Sequence, residues 1–319
     1  MSGTKAPTWL EHLEGQVNVD VDWMDPTFIQ ALPIVPHDMT SNQMHLATKV
    51  ARGYKERGWL AIYARIAVLL CKKAIGHIEG RVLLQTSPSQ AYDSQRVLEH
   101  ARLYASDTGP ALSVCPTLEA EGIRTLGTAV FSLEQAVAAA QAGCLYISPY
   151  FDAPMSARIV QILETYRRLY RETGKQQPLI KNANFISAKE ALAQGEVGVH
   201  SATISREVLS ELAKVPYDGT WQPGAGGIPK PMYPEHQNSV STPNRLAYLA
   251  ATDPLAAASW DGKLASTDVD YLADNGAKLD IAIKADPIAS ARLQDALLLF
   301  VKVEDESKAL IDKILLEVD

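Results

Sequence analysis

Cysteine is scarce in this chain of 319 residues: Cys71, Cys115 and Cys144 are all there are. An odd, scattered set in apolar company makes no disulfide framework and no metal-binding spacing, and it fits a reducing compartment. Basic charge is short as well, 30 Lys and Arg against 37 Asp and Glu, a net charge of −7. A surface of that sign does not draw phosphate backbones or anionic lipid, so neither nucleic acid nor a membrane is expected as a partner. Long apolar runs are missing too. The most apolar stretch, Trp59 to Cys71, carries Arg65 in its middle and is too short to span a bilayer. The start, MSGTKAPTWLEHLEG, has no apolar segment behind a basic one, so a cytoplasmic location is expected. No repeat of fixed period stands out. What is present is an ordinary globular composition, 47% hydrophobic and 21% charged, in a chain long enough to bury a full core.

Short β-branched runs alternate with helical stretches over the first two-thirds. Gln16–Val21 reads as a strand with Val17, Val19 and Val21 on one face and Asn18, Asp20 and Asp22 on the other. A second short strand ends near Val35–Asp38, and a long helical region then runs to about Ile78. Further strands are expected at Arg81–Leu84, Thr125–Phe131, Cys144–Tyr150, Leu179–Ala183 and Gly198–Ile204. Helices should begin near Ser132, Pro154, Ser187 and Ser205. This rhythm means parallel βαβ units, and its extent predicts an α/β fold, a (β/α)8 TIM barrel over about residues 15–215. An open doubly wound sheet is the competitor, weakened because no G-x-G-x-x-G follows the first strand. Residues 217–244, rich in Gly, Pro and polar side chains, read as a long loop or flap. Its Gly224–Gly227 run follows no strand and reads as linker glycine. Residues 245–319 read as helices within the same single domain, 1–319. The last helix starts at Asp286-Pro287, and its Leu293, Leu297, Phe300, Leu310 and Ile314 serve its own barrel or a second subunit of a homodimer.

Chemistry in such a barrel sits at the carboxyl ends of the strands. The polar residues there are Asp20, Asp22, Asp38, Asn42, Gln85, Thr86, Thr128, Ser148, Asn182, Asn184, His200 and Ser201. A carboxylate projecting into a barrel is costly unless it is paired or used, which favours Asp20, within its strand. Asp22, near the turn, reads as a solvated end-cap, and His200 as a satisfied rim histidine. No metal-ligand spacing occurs, and neither a metal nor another cofactor is expected.

Several segments together resemble the transaldolase family: VNVDVDWMD, HDMTSNQMHL, EGIRTLGTAVFSLEQAVAAAQAGCLYISPYFD and NANFISAKEALAQGEVGVHSATIS. The resemblance implies a class I aldolase-type barrel, an enzyme of carbohydrate metabolism and the pentose phosphate pathway. Such enzymes move a dihydroxyacetone unit between sugar phosphates through a Schiff base on lysine. It places Asp20 on the acid–base aspartate, Asn42 on a substrate-binding asparagine, Thr128 on the water-binding threonine and Ser148 on the serine of Ile-Ser-Pro. Asn182 and Asn184 stand as further substrate-binding candidates.

The departures are as informative. Gln85 stands where the family has a glutamate, and a neutral amide holds a water but does not accept its proton. Leu126 replaces an asparagine, while Ala153 and Ile186 replace the two arginines that clamp phosphate, so the expected substrate is a small carbonyl or sugar without phosphate. The Schiff-base lysine falls on Tyr104, and a phenol forms no imine. Roughly 22 residues between Gln85 and Thr108 leave room for a helix but not for a full fourth strand. The fourth strand is therefore expected to be a stub near Leu103–Thr108 or absent. Lys181, in the seventh strand, is the alternative nucleophile; if Asn182 and Asn184 face inward, alternation turns it toward the helices. Lys72, Lys73 and Lys189 read as helix-surface charges. Three functions follow: a transaldolase-like transferase or aldolase with impaired activity, a non-catalytic binding relative, or a lysine-independent retro-aldol or enolisation enzyme using Asp20 as base and Tyr104 as acid.

Overall fold

Strand β1 (Asn18–Asp22) forms where the valine alternation predicts it: Val17, Val19 and Val21 pack under the helical layer while Asp20 turns inward and is wholly buried. The computed structural model describes residues 6–40, 55–105, 115–151, 155–217 and 265–317. Asn42, the remainder of the flap after Tyr217, and residues 245–264 lie outside the described residues. Helix α1 (Trp9–Glu14) precedes β1 and opens on a Thr8 capping box with Glu11. Then come α2 (Pro26–Gln30), β2 (Met39–Thr40), α3 (Trp59–Ala74), β3 (Val82–Leu83), α4 (Ser94–Ala105) and α5 (Cys115–Ala120). They are followed by β4 (Leu126–Val130), α6 (Leu133–Gln141), β5 (Tyr146–Pro149), α7 (Ser156–Thr173), β6 (Leu179–Asn182), α8 (Ala188–Val197), β7 (Ser201–Ser205) and α9 (Arg206–Lys214).

The strands run parallel in the order β3-β2-β1-β7-β6-β5-β4 and make a nearly closed barrel with helices around it. Among the described residues no strand stands between β3 and β4, so these two are the edges. The stub of strand expected at Leu103–Thr108 is not seen in its described part, because α4 continues through Ala105; residues 106–114 are outside the described set. The serines named from sequence do cap helices: Ser132, Ser187 and Ser205 accept the N–H of Gln135, Glu190 and Val208, each satisfying a donor the first turn leaves open.

Among the described residues two helices follow near the C-terminus, α10 (Ala273–Ala285) and α11 (Pro287–Glu317). Asp286 caps α11 through the N–H groups of Ile288 and Ala289, and pairs with Arg158, which is buried and also donates to the Phe131 carbonyl at 2.7 Å. Ala289, Leu293, Ala296 and Phe300 then pack on Ala129, Phe131 and Tyr150 at the carboxyl ends of β4 and β5. Further along, Glu304 accepts the Ser89 N–H just beyond β3, and Ile311 and Ile314 enter the main core. The helix thus connects the two edge strands. Of the face read from sequence, Leu293, Phe300 and Ile314 serve this barrel, while Leu310 stays exposed. Among the described residues no helix is long and apolar enough to cross a membrane.

Glu14, at the end of α1, accepts the Val19 N–H at 2.8 Å, and burial pushes its carboxyl up to about 7. A raised folded value means stability falls as pH climbs from the ordinary glutamate range through about 7. Glu14→Gln keeps the acceptor without the charge. It is expected to raise Tm by roughly 2–4 °C at pH 8.5, the size of about 1 kcal/mol in a large domain, and to change little at pH 4.5. Thermal melts at both pH values check this.

Candidate functional site

The barrel carries two tiers of polar side chains, the lower one buried and the upper one partly open to solvent. The lower one is built on Lys181 of β6, buried with its Nζ 2.8 Å from Asp20 Oδ2, 2.8 Å from Asp38 Oδ2 and 3.1 Å from Ser201 Oγ. Its ammonium also lies 4.5 Å from the centre of the Tyr146 ring, a cation–π contact. Asp20 is fully engaged: Oδ1 accepts the Asp38 N–H at 3.0 Å, and Oδ2 takes Thr203 Oγ1 at 3.3 Å besides the lysine. Asp38 accepts the Arg81 N–H, and Arg81 Nη1 donates to the Tyr146 hydroxyl at 2.9 Å.

The charges of this tier bias one another. Desolvation alone would push the amine down, but the two carboxylates raise Lys181 above its ordinary value, so it is held as an ammonium. Asp20 is raised by burial, only partly offset by the lysine. Desolvation also pushes Asp38 up, but its contacts with Lys181 and the Arg81 N–H outweigh that and leave it below the usual carboxylate range. Asp20, His37 and Asp38 bring ligand atoms within 4.8 Å of one another, a grouping from β1 and the approach to β2 that sequence spacing concealed. Lys181 already supplies a cation at the two carboxylates, so this grouping does not fit a metal ion as well as it fits the amine.

The upper tier lies at the carboxyl ends. Asp22 pairs in register with Ser205, two residues beyond the Asp20–Thr203 pair, and accepts the Thr40 hydroxyl. Burial raises its carboxyl above the ordinary value. It is not the solvated end-cap expected from its place near a turn: a residue two positions from an inward aspartate faces inward too. Across the barrel, Thr128 pairs in register with Ser148, and the Tyr150 hydroxyl is bonded with Thr128. Burial holds the Tyr150 phenol well above its usual range, and Asp22 adds to that shift. The chain makes a bulge directly after Thr128, where Ala129 sits at φ 56°, a left-handed value rare for alanine.

The structure therefore brings Thr128 and Ser148 together, adds Tyr150, which has no place among the sequence candidates, and Asp22, expected there as an end-cap, and sets Asp20 below them. Gln85 lies two residues beyond β3 and is half-buried. Asn182 points away from the interior, donating to Gln194 Oε1 of α8 at 2.7 Å, so Lys181 rather than the asparagine takes the inner face of β6. Asn184 adopts φ 68° just past that strand. Tyr104 belongs to helix α4, so its backbone is not on a barrel strand. His200 Nδ1 accepts the Ile180 N–H at 3.0 Å, as a satisfied histidine should.

Residues 34–241 match the family described as Transaldolase/Fructose-6-phosphate aldolase. A probable transaldolase of Clostridium acetobutylicum is 30% identical over 111 residues, 34% of this chain and 51% of that protein. Probable transaldolases of Geobacter sulfurreducens and Geotalea uraniireducens are 32% and 33% identical over the same length and shares. The chain spans about half the length of the curated relatives it matches. The family match takes in β2 through β7 and starts after β1, leaving Asp20 and Asp22 ahead of it. A parallel barrel with a polar interior and a family match over most of its strands lead to one assignment: the chain belongs to the transaldolase/fructose-6-phosphate aldolase family.

Proposed function

We propose that this chain is a transaldolase-type aldol enzyme for a small, unphosphorylated hydroxycarbonyl compound, working from the upper tier of the barrel. The observation that carries the reading is the placement of Asp22, inward, at the carboxyl end of β1, hydrogen-bonded to Thr40 and with its proton affinity raised. A carboxyl tuned upward gives and takes a proton near neutral pH more readily than an ordinary one. In the retro-aldol direction Asp22 accepts the proton of the substrate's carbinol hydroxyl as the C–C bond breaks. The electron pair moves toward the ketone oxygen, where the Tyr150 and Thr128 hydroxyls are the available donors. The aldehyde fragment leaves, Asp22 returns its proton to the enediol carbon as the enediol hydroxyl gives its proton back to its donor, and the three-carbon ketone is released. Asp20 and Lys181 stay beneath as a fixed ion cluster.

A second reading, imine formation on Lys181, is favoured by the location of its amine: among the described residues it is the buried lysine of the barrel interior. Against it stands its protonation, since an amine nucleophile must first lose a proton that two carboxylates hold in place. Incubation with dihydroxyacetone in heavy water, followed by NMR, is expected to show exchange of the carbon-bound protons. Borohydride added to the same mixture is expected to leave Lys181 unmodified in its tryptic peptide. A reduced three-carbon adduct on Lys181 would replace the first reading with the second. Absence of both exchange and adduct, alongside measurable ligand binding, would make the chain a non-catalytic binding protein.

A further inference from the structure

Cys115 opens α5 and Cys144 directly precedes the approach to β5, at the end of the barrel opposite the upper tier. They are 29 residues apart in sequence, yet their Sγ atoms lie 3.6 Å apart, and both are buried. Thr125, just ahead of β4, is buried beside both sulfurs. We infer that Cys115 and Cys144 form a dithiol site that a hydroperoxide converts into an internal disulfide.

The geometry supplies the essential condition, two sulfurs facing each other from separate elements. A disulfide needs them at about 2.05 Å, a closure that side-chain rotation and a small shift of the six-residue α5 can provide. The pair is also asymmetric. The hydrogen bond between the thiols lowers Cys144 and raises Cys115, and we assign the first attack to Cys144 on that bias. Cys144 Sγ attacks the peroxide oxygen and becomes a sulfenic acid as the O–O bond breaks and the first water leaves. Cys115 Sγ then attacks that sulfur, the S–S bond forms and the hydroxyl departs with the thiol proton as a second water. Two thiols lose two electrons, and one hydrogen peroxide becomes two waters. The product pins α5 to the floor of β4 and β5.

The full-length chain is treated with hydrogen peroxide, alkylated under denaturing conditions and digested with trypsin. Peptides 103–124 and 125–158, which the cut after Arg124 separates, are expected to appear joined, two mass units below the sum of their thiol forms, and to part on reduction. Cys71 is expected to remain alkylated. In Cys115→Ser, dimedone is expected to trap a sulfenic acid on Cys144, and in Cys144→Ser no cross-link forms. Complete alkylation of both thiols after peroxide, or a bridge to Cys71, would overturn the inference. The experiment on the unaltered chain decides the matter even where a variant fails to fold.

Discussion

Replacing Lys181 by methionine is expected to cost the fold about 3–5 kcal/mol, because it leaves two buried carboxylates without their cation. Asp20 and Asp38 are each 0% exposed, and Lys181 is 1% exposed, so water offers little relief. Urea titration at pH 7 measures the loss. The pH dependence gives the signature. Asp38 is held below its unfolded value, so its contribution is present above the ordinary aspartate range and disappears as pH falls through the folded value. Lys181 is raised, so its share is full below the ordinary lysine range and is lost as pH climbs through the folded value. Asp20 runs the other way, its raised value costing stability at neutral pH and recovering as it takes a proton. Without the ammonium both carboxyls shift upward, so the deficit of the variant should narrow as pH drops toward 5. Adding Asp20→Asn and Asp38→Asn to Lys181→Met should restore most of the stability. A loss below about 1 kcal/mol, the same at every pH, would show that the cluster is not a coupled ion triad.

The outer framework was legible because its signals are local. Valine alternation gave β1, and Ser132, Ser187 and Ser205 marked helix starts through their own hydroxyls. The facing of β6 was not legible. A strand buried on both sides shows no apolar–polar contrast between Leu179, Lys181 and Ala183 on one face and Ile180 and Asn182 on the other. Asn182 suggested a ligand, yet its partner is Gln194, twelve residues on in a helix, while the aliphatic stem of Lys181 crosses the interior. Asp22 was on the face of Asp20 from the valine alternation, but its place near the turn suggested solvent, whereas an inward Asp20 implies an inward Asp22. Tyr150 had no local signal, because its role depends on Thr128 of the neighbouring strand and on Phe300 of a helix far along the chain. The edge-to-edge course of α11 was equally hidden, resting on the Arg158–Asp286 pair across 128 residues.

Asp22→Asn is expected to lower turnover of an unphosphorylated ketose such as fructose by about 10²–10⁴-fold, the usual worth of a placed acid–base group. Asparagine keeps an acceptor for the Thr40 hydroxyl and removes a partly desolvated charge, so the urea midpoint should hold or rise. The wild-type rate profile should carry a limb at an apparent value above the ordinary carboxylate range, reflecting the upward shift of Asp22, and the variant should lack that limb. Asp20→Asn is the informative contrast. Its oxygens are spent on Asp38, Thr203 and Lys181, so this change should alter stability and its pH dependence while the limb in the rate profile persists. Tyr150→Phe, which removes the hydroxyl next to Thr128 but not the ring packed on Phe131 and Phe300, should depress the rate without lowering Tm. The reverse pattern, with Asp22→Asn within about threefold of wild type and Asp20→Asn inactive but folded, would move proton transfer to the lower tier, because only a group in contact with the reacting atoms sets both the rate and its titration.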